Sequence, residues 1–369
     1  MSARPKVALA HDWLNGMRGG ERCLDLICRE FPDAELHTLL FRPELVSEAI
    51  RNRKVHESGL ARLPFFRERY RWFLPLFPAA IESFRVAEGT DLVLSTSHCV
   101  AKGIVPPRGA KHLCYCFTPM RYAWALQEEY FGKGGAKRAL VDRMLARLRK
   151  WDRKASGRVD RFVAISRHVQ GRIREYYGRE SAVVYPPVAT DYFTPEEGGG
   201  DDGYDLVVSA LVPYKRVDLA VEAYTRTGRR LKVAGAGTEL DRLRKAAGPS
   251  VEFLGRVPDD AVRGLYRRCR LLVFPGEEDF GIVPLEAQAC GKPVVAFGRG
   301  GLLETVAEGQ TGTFFGEQTA EALAGAVERA EGIAWDAAAI RAHAEGFGEG
   351  RFLEGLRGEI AATLEGGRR

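Results

Sequence analysis

The sequence predicts an α/β chain folded as two doubly wound domains with parallel sheets. Three observations carry that expectation. The chain has 369 residues, and domains of roughly 100–200 residues make two the natural count. Short apolar runs without strict polar alternation recur along it, which suits parallel strands buried on both faces. The pattern stops once, at Pro186-Pro187, Thr194-Pro195 and the Gly/acid-rich stretch 196–203, and then restarts. Clusters of Pro, Gly and acids mark linkers.

In the first half, strands are expected at 6–11, 91–95, 111–116, 161–165 and 182–185, with helices at 19–30, 137–154 and 167–177. In the second, strands are expected at 205–209, 231–234, 251–254, 271–274 and 293–297. Helices fit at 215–227, 238–247, 259–268 and 284–290, and an Ala/Glu/Arg-rich tail reads as helical over about 336–364. The expected divisions are 1–190 and 191–348, with 349–369 a terminal helix returning to the first domain. Each domain is Rossmann-like, and ligands in such sheets sit at the carboxyl ends of the strands, here in a central cleft that the two domains would face.

Composition narrows the classes. Hydrophobic residues make up 45% and charged residues 28%, so the chain resembles an ordinary globular protein rather than a disordered one. No apolar run approaches the roughly 18 residues that span a bilayer. Residues 1–6 offer no apolar signal segment before the first strand, and a cytoplasmic location is expected. The seven cysteines, at 23, 28, 99, 114, 116, 269 and 290, have no C-x-x-C pair and read as reduced core thiols. Residues 1–190 hold 33 Lys/Arg against 20 Asp/Glu, whereas the remainder holds 22 against 29. A basic half joined to an acidic half points to two domains with different partners, the anionic one meeting the first.

Phe274-Pro-Gly-Glu-Glu-Asp-Phe-Gly-Ile-Val-Pro-Leu-Glu-Ala287 is the most informative stretch. It joins a strand to a helix. Pro284 suits a first helical turn, Gly281 allows close approach to the backbone, and the amides near Ile282 and Val283 would face an anion. Glu286, expected in the first turn, could reach hydroxyls of the same ligand, with Glu278 on the preceding loop. A phosphate between hydroxyl-bearing groups describes a nucleotide sugar. A capped helix with solvated acids is the plain structural alternative. No Asp-x-Asp pair occurs, so no dedicated metal site and no cofactor are expected.

This stretch resembles the E-x7-E motif of retaining glycosyltransferases of the GT-B fold, in family 4 (glycosyl transferases group 1). Ser209–Asp218, Gly235-Ala-Gly237, Phe253–Pro258, Gly300–Thr305 and Gln310-Thr-Gly312 fit the same family. His11–Glu21, Cys116–Trp124 and Val184–Val188 resemble a subgroup of bacterial O-antigen and exopolysaccharide mannosyltransferases. The resemblance implies a donor on the second domain and an acceptor on the first. Lys215, with Arg216 beside it, would neutralise the diphosphate. The Gly255, Arg256 and Val257 backbone would read the base, Glu286 would hold the ribose, and Glu278 the donor sugar. Asp279, Phe280, Gly281, Ile282 and Val283 would contact its hydroxyls and phosphates, and Gly16, Gly19 and Gly20 would approach the diphosphate from the first domain. The expected reaction moves a hexose, mannose from GDP-mannose, to a lipid-linked or polysaccharide acceptor with retention, by a front-face route. The departing phosphate would take the acceptor proton.

Two positions depart from the family. The arginine expected five residues before the lysine is Ala210, with Arg216, Arg256 or Arg18 as replacements, and the histidine expected near 117 is Phe117. His98, after the strand at 91–95, is the candidate replacement at the acceptor, and His11, at the end of the first strand, is an equal one. Either histidine could equally be a structural hydrogen-bonding residue. The departures leave open a weakened or inactive nucleotide-sugar-binding protein, and the base leaves open UDP- or dTDP-sugar transfer or epimerisation. A nicotinamide enzyme would need G-x-G-x-x-G after a first strand, and neither glycine cluster has it. Residues 62–77 mix aromatics with arginines, and 133–154 is rich in Lys and Arg. Both are candidates for contact with an anionic membrane at the inner face of the cell. No zinc module, helix-turn-helix or aromatic RNA motif accompanies the basic charge, so nucleic acid is not an expected partner.

Overall fold

Why the apolar runs become strands is visible from their burial. A computed structural model describes residues 5–125 and 138–366. It divides the chain into two compact units, Met1–Tyr185 with Phe352–Arg369, and Pro186–Arg351, against sequence-derived limits of 190 and 348.

The first unit carries a seven-stranded parallel sheet of β1 (Val7–His11), β2 (Glu35–Thr38), β3 (Val55–Glu57), β4 (Leu92–Ser97), β5 (Lys111–Cys116), β6 (Arg161–Ala164) and β7 (Ser181–Val183). Their order is β3-β2-β1-β4-β5-β6-β7. β1 and β4 are buried at every residue and pair in register from Val7 with Leu92 to His11 with Thr96. Continuous apolar sequence follows from that two-sided burial. Helices α1 (Gly19–Glu30), α2 (Arg138–Ser156) and α3 (Arg167–Tyr177) lie between strands. α3 begins where Ser166 Oγ accepts the Val169 N–H at 3.0 Å, an N-cap. Part of the predicted basic helix, including Lys133 and Lys137, falls outside the described residues.

The second unit carries six parallel strands: β8 (Asp205–Val208), β9 (Leu231–Ala234), β10 (Val251–Gly255), β11 (Leu272–Phe274), β12 (Val294–Phe297) and β13 (Gly312–Phe315), in the order β10-β9-β8-β11-β12-β13. The helices are α4 (Val217–Thr227), α5 (Leu240–Ala246), α6 (Asp259–Arg268), α7 (Ile282–Ala289), α8 (Ala320–Glu331) and α9 (Ala337–Glu345). The chain returns to the first unit through α10 (Glu349–Glu365). There Phe352 packs edge-on to Tyr115 at 5.5 Å, Glu359 pairs with Arg161, and Arg357 pairs with Glu30 at 2.6 Å.

Several expectations need correction. The strands at 35–38, 55–57 and 312–315 and the helix at 320–331 were not predicted. Glu35-Leu-His-Thr38 and Val55-His-Glu57 are short and half polar, so they lack the apolar signal of the central strands. The helical tail consists of two helices. Gly346-Phe-Gly348 interrupts it, and the Val188 N–H bonds the Phe347 carbonyl there at 2.9 Å, tying the break to the start of the unit. All seven cysteines are buried and unpaired. No helix among the described residues is long and apolar enough to cross a membrane.

Buried polar groups lock the first unit. Asp152 on α2 pairs with the buried Lys102 ammonium at 2.5 Å and accepts from Trp124 Nε1 at 2.8 Å and the Tyr177 hydroxyl at 2.7 Å. Such a node has its charges compensated, which a buried ion pair requires. His112 on β5 is fully buried, 2.8 Å from Ser95 Oγ. Burial, reinforced by the Arg158 charge, pushes its pKa down to about 3. Unfolded, it titrates near 6.5. Below that pH the unfolded chain binds a proton the folded chain refuses, so this contribution is intact above pH 6.5 and is lost as pH falls. Denaturant unfolding at pH 7 and pH 5 should show His112 contributing about 2 kcal/mol of the loss. His112→Gln should flatten the slope by that amount, and an unchanged slope would refute the assignment.

Candidate functional site

In the second sheet the strand order reverses between β8 and β11, with β9 and β10 on one side and β12 and β13 on the other. Connections leaving the carboxyl ends of β8 and β11 therefore diverge and open a crevice, the place where open α/β sheets take ligands. Lys215 lies on the first connection and Glu278–Val283 on the second.

Lys215 closes a 3₁₀ turn, Pro213–Lys215. Arg216 follows at φ 50°, and α4 then begins. The Lys215 ammonium forms an ion pair with the Glu278 carboxylate, their side chains 17% and 16% exposed. It also lies 5.4 Å from the Tyr214 ring and 5.8 Å from the Phe274 ring, where ring faces attract a cation. The structure thus joins two residues that the sequence reading gave separate roles. Arg216, a candidate substitute for the family arginine, is turned to the Asp218 carboxylate at 3.2 Å and to Gln318 Oε1 at 3.3 Å. Ala210 is exposed, as is Arg256.

The loop 277–281 is held from below by a glycine pair. Gly301 N–H bonds the Glu278 carbonyl at 2.8 Å. A Cβ on Gly300 or Gly301 would run into the Glu278 or Asp279 carbonyl, so this approach needs glycine. Asp279 and Phe280 are buried, and Thr305 Oγ1 donates to the Phe280 carbonyl at 3.4 Å. Gly281 caps α7 at φ 110°. Ile282, Val283 and Pro284 form the first turn, whose amides have no partner within the helix. The helix starts two residues before the predicted position, because Gly281 turns the chain there. Glu286 therefore lies in the second turn, not the first. It is buried, and Tyr266 of α6 donates its hydroxyl to Oε2 at 3.1 Å. Burial first, then the Glu286 charge, raises the Tyr266 pKa well above the ordinary value, so Tyr266 stays a donor.

Gly255, Arg256 and Val257 end and follow β10, the edge strand, two strands from β8. Gly255 sits at φ 69° and its carbonyl accepts the Gly235 N–H at 2.7 Å. The structure does not bring these three against the Lys215–Glu278 pair.

The first unit has the same reversal between β1 and β4, and it gathers Asp12, Glu21, His11 and His98. Asp12 is fully buried and accepts the backbone N–H groups of His98, Cys99, Val100 and Ala101 at 2.6–2.9 Å. Its Oδ2 lies 3.1 Å from His98 Nδ1. Burial pushes the Asp12 carboxyl up, but the His98 charge and hydrogen bonds, with His11, outweigh it and hold the group far below the carboxylate range. His98 keeps 30% of its side chain exposed and packs edge-on to Trp13 at 4.4 Å. His11 is buried, 2.7 Å from Thr96 Oγ1 and 3.9 Å from Glu21, so it serves the interior. Gly16 lies on the turn before α1, and Gly19 is the first residue of that helix. A Cβ on Gly20 would lie 3.2 Å from the Phe117 ring, which stands 6.4 Å from both His11 and His98.

Sequence reasoning missed Asp12, Glu21, Tyr266 and the structural role of Gly300-Gly301. Asp12 had a signal, an acid directly after an apolar strand. Tyr266 had none, because 20 residues separate it from Glu286. Among the described residues no cluster of three or more His, Cys, Asp or Glu could hold a metal ion.

Two family profiles match consecutive parts of the chain: glycosyltransferase family 4 over residues 17–192, and glycosyl transferases group 1 over residues 190–344. The chain belongs to glycosyltransferase family 4. An uncharacterized glycosyltransferase of Methanocaldococcus jannaschii is 32% identical over 158 residues, covering 42% of this chain and 44% of the relative. The GDP-mannose-dependent alpha-(1-6)-phosphatidylinositol monomannoside mannosyltransferase of Mycolicibacterium smegmatis is 30% identical over 205 residues, covering 47% and 54%. The chain thus spans about half the length of these curated relatives. The crystal structure of HepE from Anabaena in complex with UDP and glucose superposes with a TM-score of 0.68 at 20% identity, covering 98% of this chain and 99% of that one. That likeness shows the fold, which is GT-B.

The local geometry makes a stability prediction. Gly281→Ala places a side chain at φ 110° and a Cβ 2.6 Å from Leu302 Cδ2, so it should cost about 1–3 kcal/mol in thermal unfolding. Gly264→Ala on α6, with nothing within 4 Å of its Cβ, should be neutral or stabilise by about 0.5–1 kcal/mol. Equal effects would refute the N-cap reading.

Proposed function

We propose that this glycosyltransferase moves a hexose with retention of configuration, mannose from GDP-mannose, onto a lipid-linked or polysaccharide acceptor in cell-surface glycan synthesis. The observation that carries the reading is the switch point of the second sheet. A part-buried lysine–glutamate pair, a glycine-capped helix start and the buried Glu286 follow its two central strands. The Mycolicibacterium relative, a GDP-mannose-dependent enzyme by its name, supports the donor assignment.

In this mechanism the α7 amides and Lys215 hold the diphosphate. Lys215 exchanges its contact with Glu278 for the phosphate, and Glu278 is freed for the sugar hydroxyls. Glu286, steadied by Tyr266, takes the ribose hydroxyls, and the Gly255–Val257 backbone meets the base. The bond from the anomeric carbon to the β-phosphate oxygen breaks while the acceptor oxygen bonds that carbon from the same face. The acceptor proton passes to the departing phosphate oxygen. His98, fixed through Nδ1 by Asp12, orients the acceptor hydroxyl. Positioning and charge compensation supply the rate, and Lys215 with the helix amides performs the neutralisation that a metal ion provides elsewhere.

Calorimetric titration with GDP, UDP, dTDP and NAD tests the donor site. GDP should bind, and Glu286→Gln should weaken it by roughly 10–100-fold, the worth of a hydrogen bond to a charged group. Binding of NAD alone, or of none of the four, would sink the reading. With GDP-mannose and an acceptor extract, Lys215→Ala should lower kcat by about 10²–10³-fold. NMR of the product should show the donor's anomeric configuration, and an inverted product would overturn retention.

A further inference from the structure

The connections that carry Lys215 and Glu278 leave different strands, so their separation has to be set by something outside either strand. Their backbones meet closely at one point. A Cβ on Gly276 would lie 3.0 Å from both the Lys215 Cα and the Lys215 carbonyl oxygen, an approach that glycine permits. Close approach does not by itself hold two loops together. A side chain from a third connection does.

Gln318 lies between β13 and α8 and is half-buried. Its Oε1 accepts from Arg216 Nη1 at 3.3 Å, and its Nε2 donates to the Pro275 carbonyl at 3.1 Å. Arg216 directly follows Lys215, and Pro275 stands three residues before Glu278. One amide therefore ties both arms of the crevice. The chemistry of the two partners selects that group. A guanidinium only donates and a carbonyl only accepts, so the side chain between them must do both. A carboxylate at 318 would offer nothing to Pro275, and an ammonium nothing to Arg216.

The ends of this tie are themselves fixed. Arg216 holds φ 50°, a left-handed conformation that a residue with a long side chain keeps only where its surroundings impose it. Asp218, in the first turn of α4, accepts from Arg216 Nε at 3.2 Å and Nη2 at 3.4 Å, which leaves Nη1 for Gln318. On the other side, Thr319 caps α8 by accepting the Ala322 N–H at 3.1 Å. Helix α8 shares a core with α4 through Leu323, Val327, Leu219 and Ala220, so the base of the Gln318 side chain is carried by packed elements.

From this geometry we infer that Gln318 is a positioning residue for the anion site: it spans the crevice and sets the distance between the Lys215 turn and the loop 275–281. Without it, Arg216 loses one of its two anchors, the loop loses its tie to the turn, and the Lys215 ammonium is no longer held at a fixed place for a phosphate. The inference rests on the donor reading for the anion that the two arms receive, not for the tie between them.

Amide hydrogen exchange on the ligand-free protein tests the tie. Gln318→Met keeps the length of the side chain and removes both hydrogen bonds. The Lys215 and Arg216 amides, bonded to the Val212 and Pro213 carbonyls, and the Gly301 amide, bonded to the Glu278 carbonyl, should exchange at least about fivefold faster in this variant. The Val251 amide, bonded to the Gly248 carbonyl on the far side of the sheet, should not change. GDP titration reads the consequence. Gln318→Met should weaken GDP by about tenfold, and in a Lys215→Ala background the same substitution should cost less than about twofold, because Gln318 acts through the ammonium. A residue that only stabilised the fold would cost the same in both backgrounds. Unchanged exchange at either connection would overturn the proposal, and so would equal losses of affinity with and without Lys215. A parent protein that binds no GDP would sink the donor reading alone, and the exchange rates would still decide whether Gln318 holds the two arms.

Discussion

The constraint on which both units depend is the reversal of strand order at the centre of each sheet. A parallel sheet requires a crossover between paired strands, and successive crossovers place strands outward in one direction. When the order reverses, two neighbouring central strands send their connections to opposite faces, and no helix closes the space above their carboxyl ends. At β8 and β11 the open space receives Lys215 and Glu278. At β1 and β4 it receives Asp12 and His98. The candidate site residues and the crevice arise from one topological fact, so no long loop is needed to bring them together.

Each opening exposes backbone groups that must be satisfied, and the two units solve this differently. In the first, one buried carboxylate does it: Asp12 takes four consecutive amides from the chain leaving β4, and the same carboxylate fixes His98. Removing its charge would leave a cluster of donors without a strong acceptor, each costing about 1–3 kcal/mol if left unmade. In the second, the loop after β11 is held by close backbone packing on Gly300 and Gly301.

Those solutions explain what could be read from residues alone. The central strands and the helices 19–30, 167–177 and 259–268 were legible because burial on two faces, or on one helical stripe, writes an apolar pattern. The edge strand Val55–Glu57 was not, because one open side lets it be polar, and neither was Glu35–Thr38 beside it, whose four residues include only one apolar side chain. The donor loop was legible as a motif, since glycine, proline and two acids at fixed spacing leave a local trace. The pairing of Lys215 with Glu278 was not. It joins residues 63 positions apart through the adjacency of β8 and β11, and sheet order is not encoded in any one window. Tyr266 beside Glu286 was hidden for the same reason.

The departures at Ala210 and Phe117 read differently once the neighbours are known. Phe117 follows β5, and its ring leans on Gly20 and stands edge-on to Tyr115 at 5.5 Å. A histidine there would offer a polar ring. The phenylalanine instead forms an apolar wall, and in the proposed mechanism the polar function falls to His98 on the adjacent strand end, where Asp12 fixes one ring nitrogen. The resemblance implies a guanidinium at position 210 that is absent here, and Arg216, its candidate substitute, is held by Asp218 and Gln318. In the proposed mechanism, charge neutralisation in the second unit therefore concentrates on Lys215 and the α7 amides. A site with fewer cations depends more heavily on where each is held, which gives the Lys215–Glu278 contact its importance: it fixes the ammonium in a part-buried position before any anion arrives.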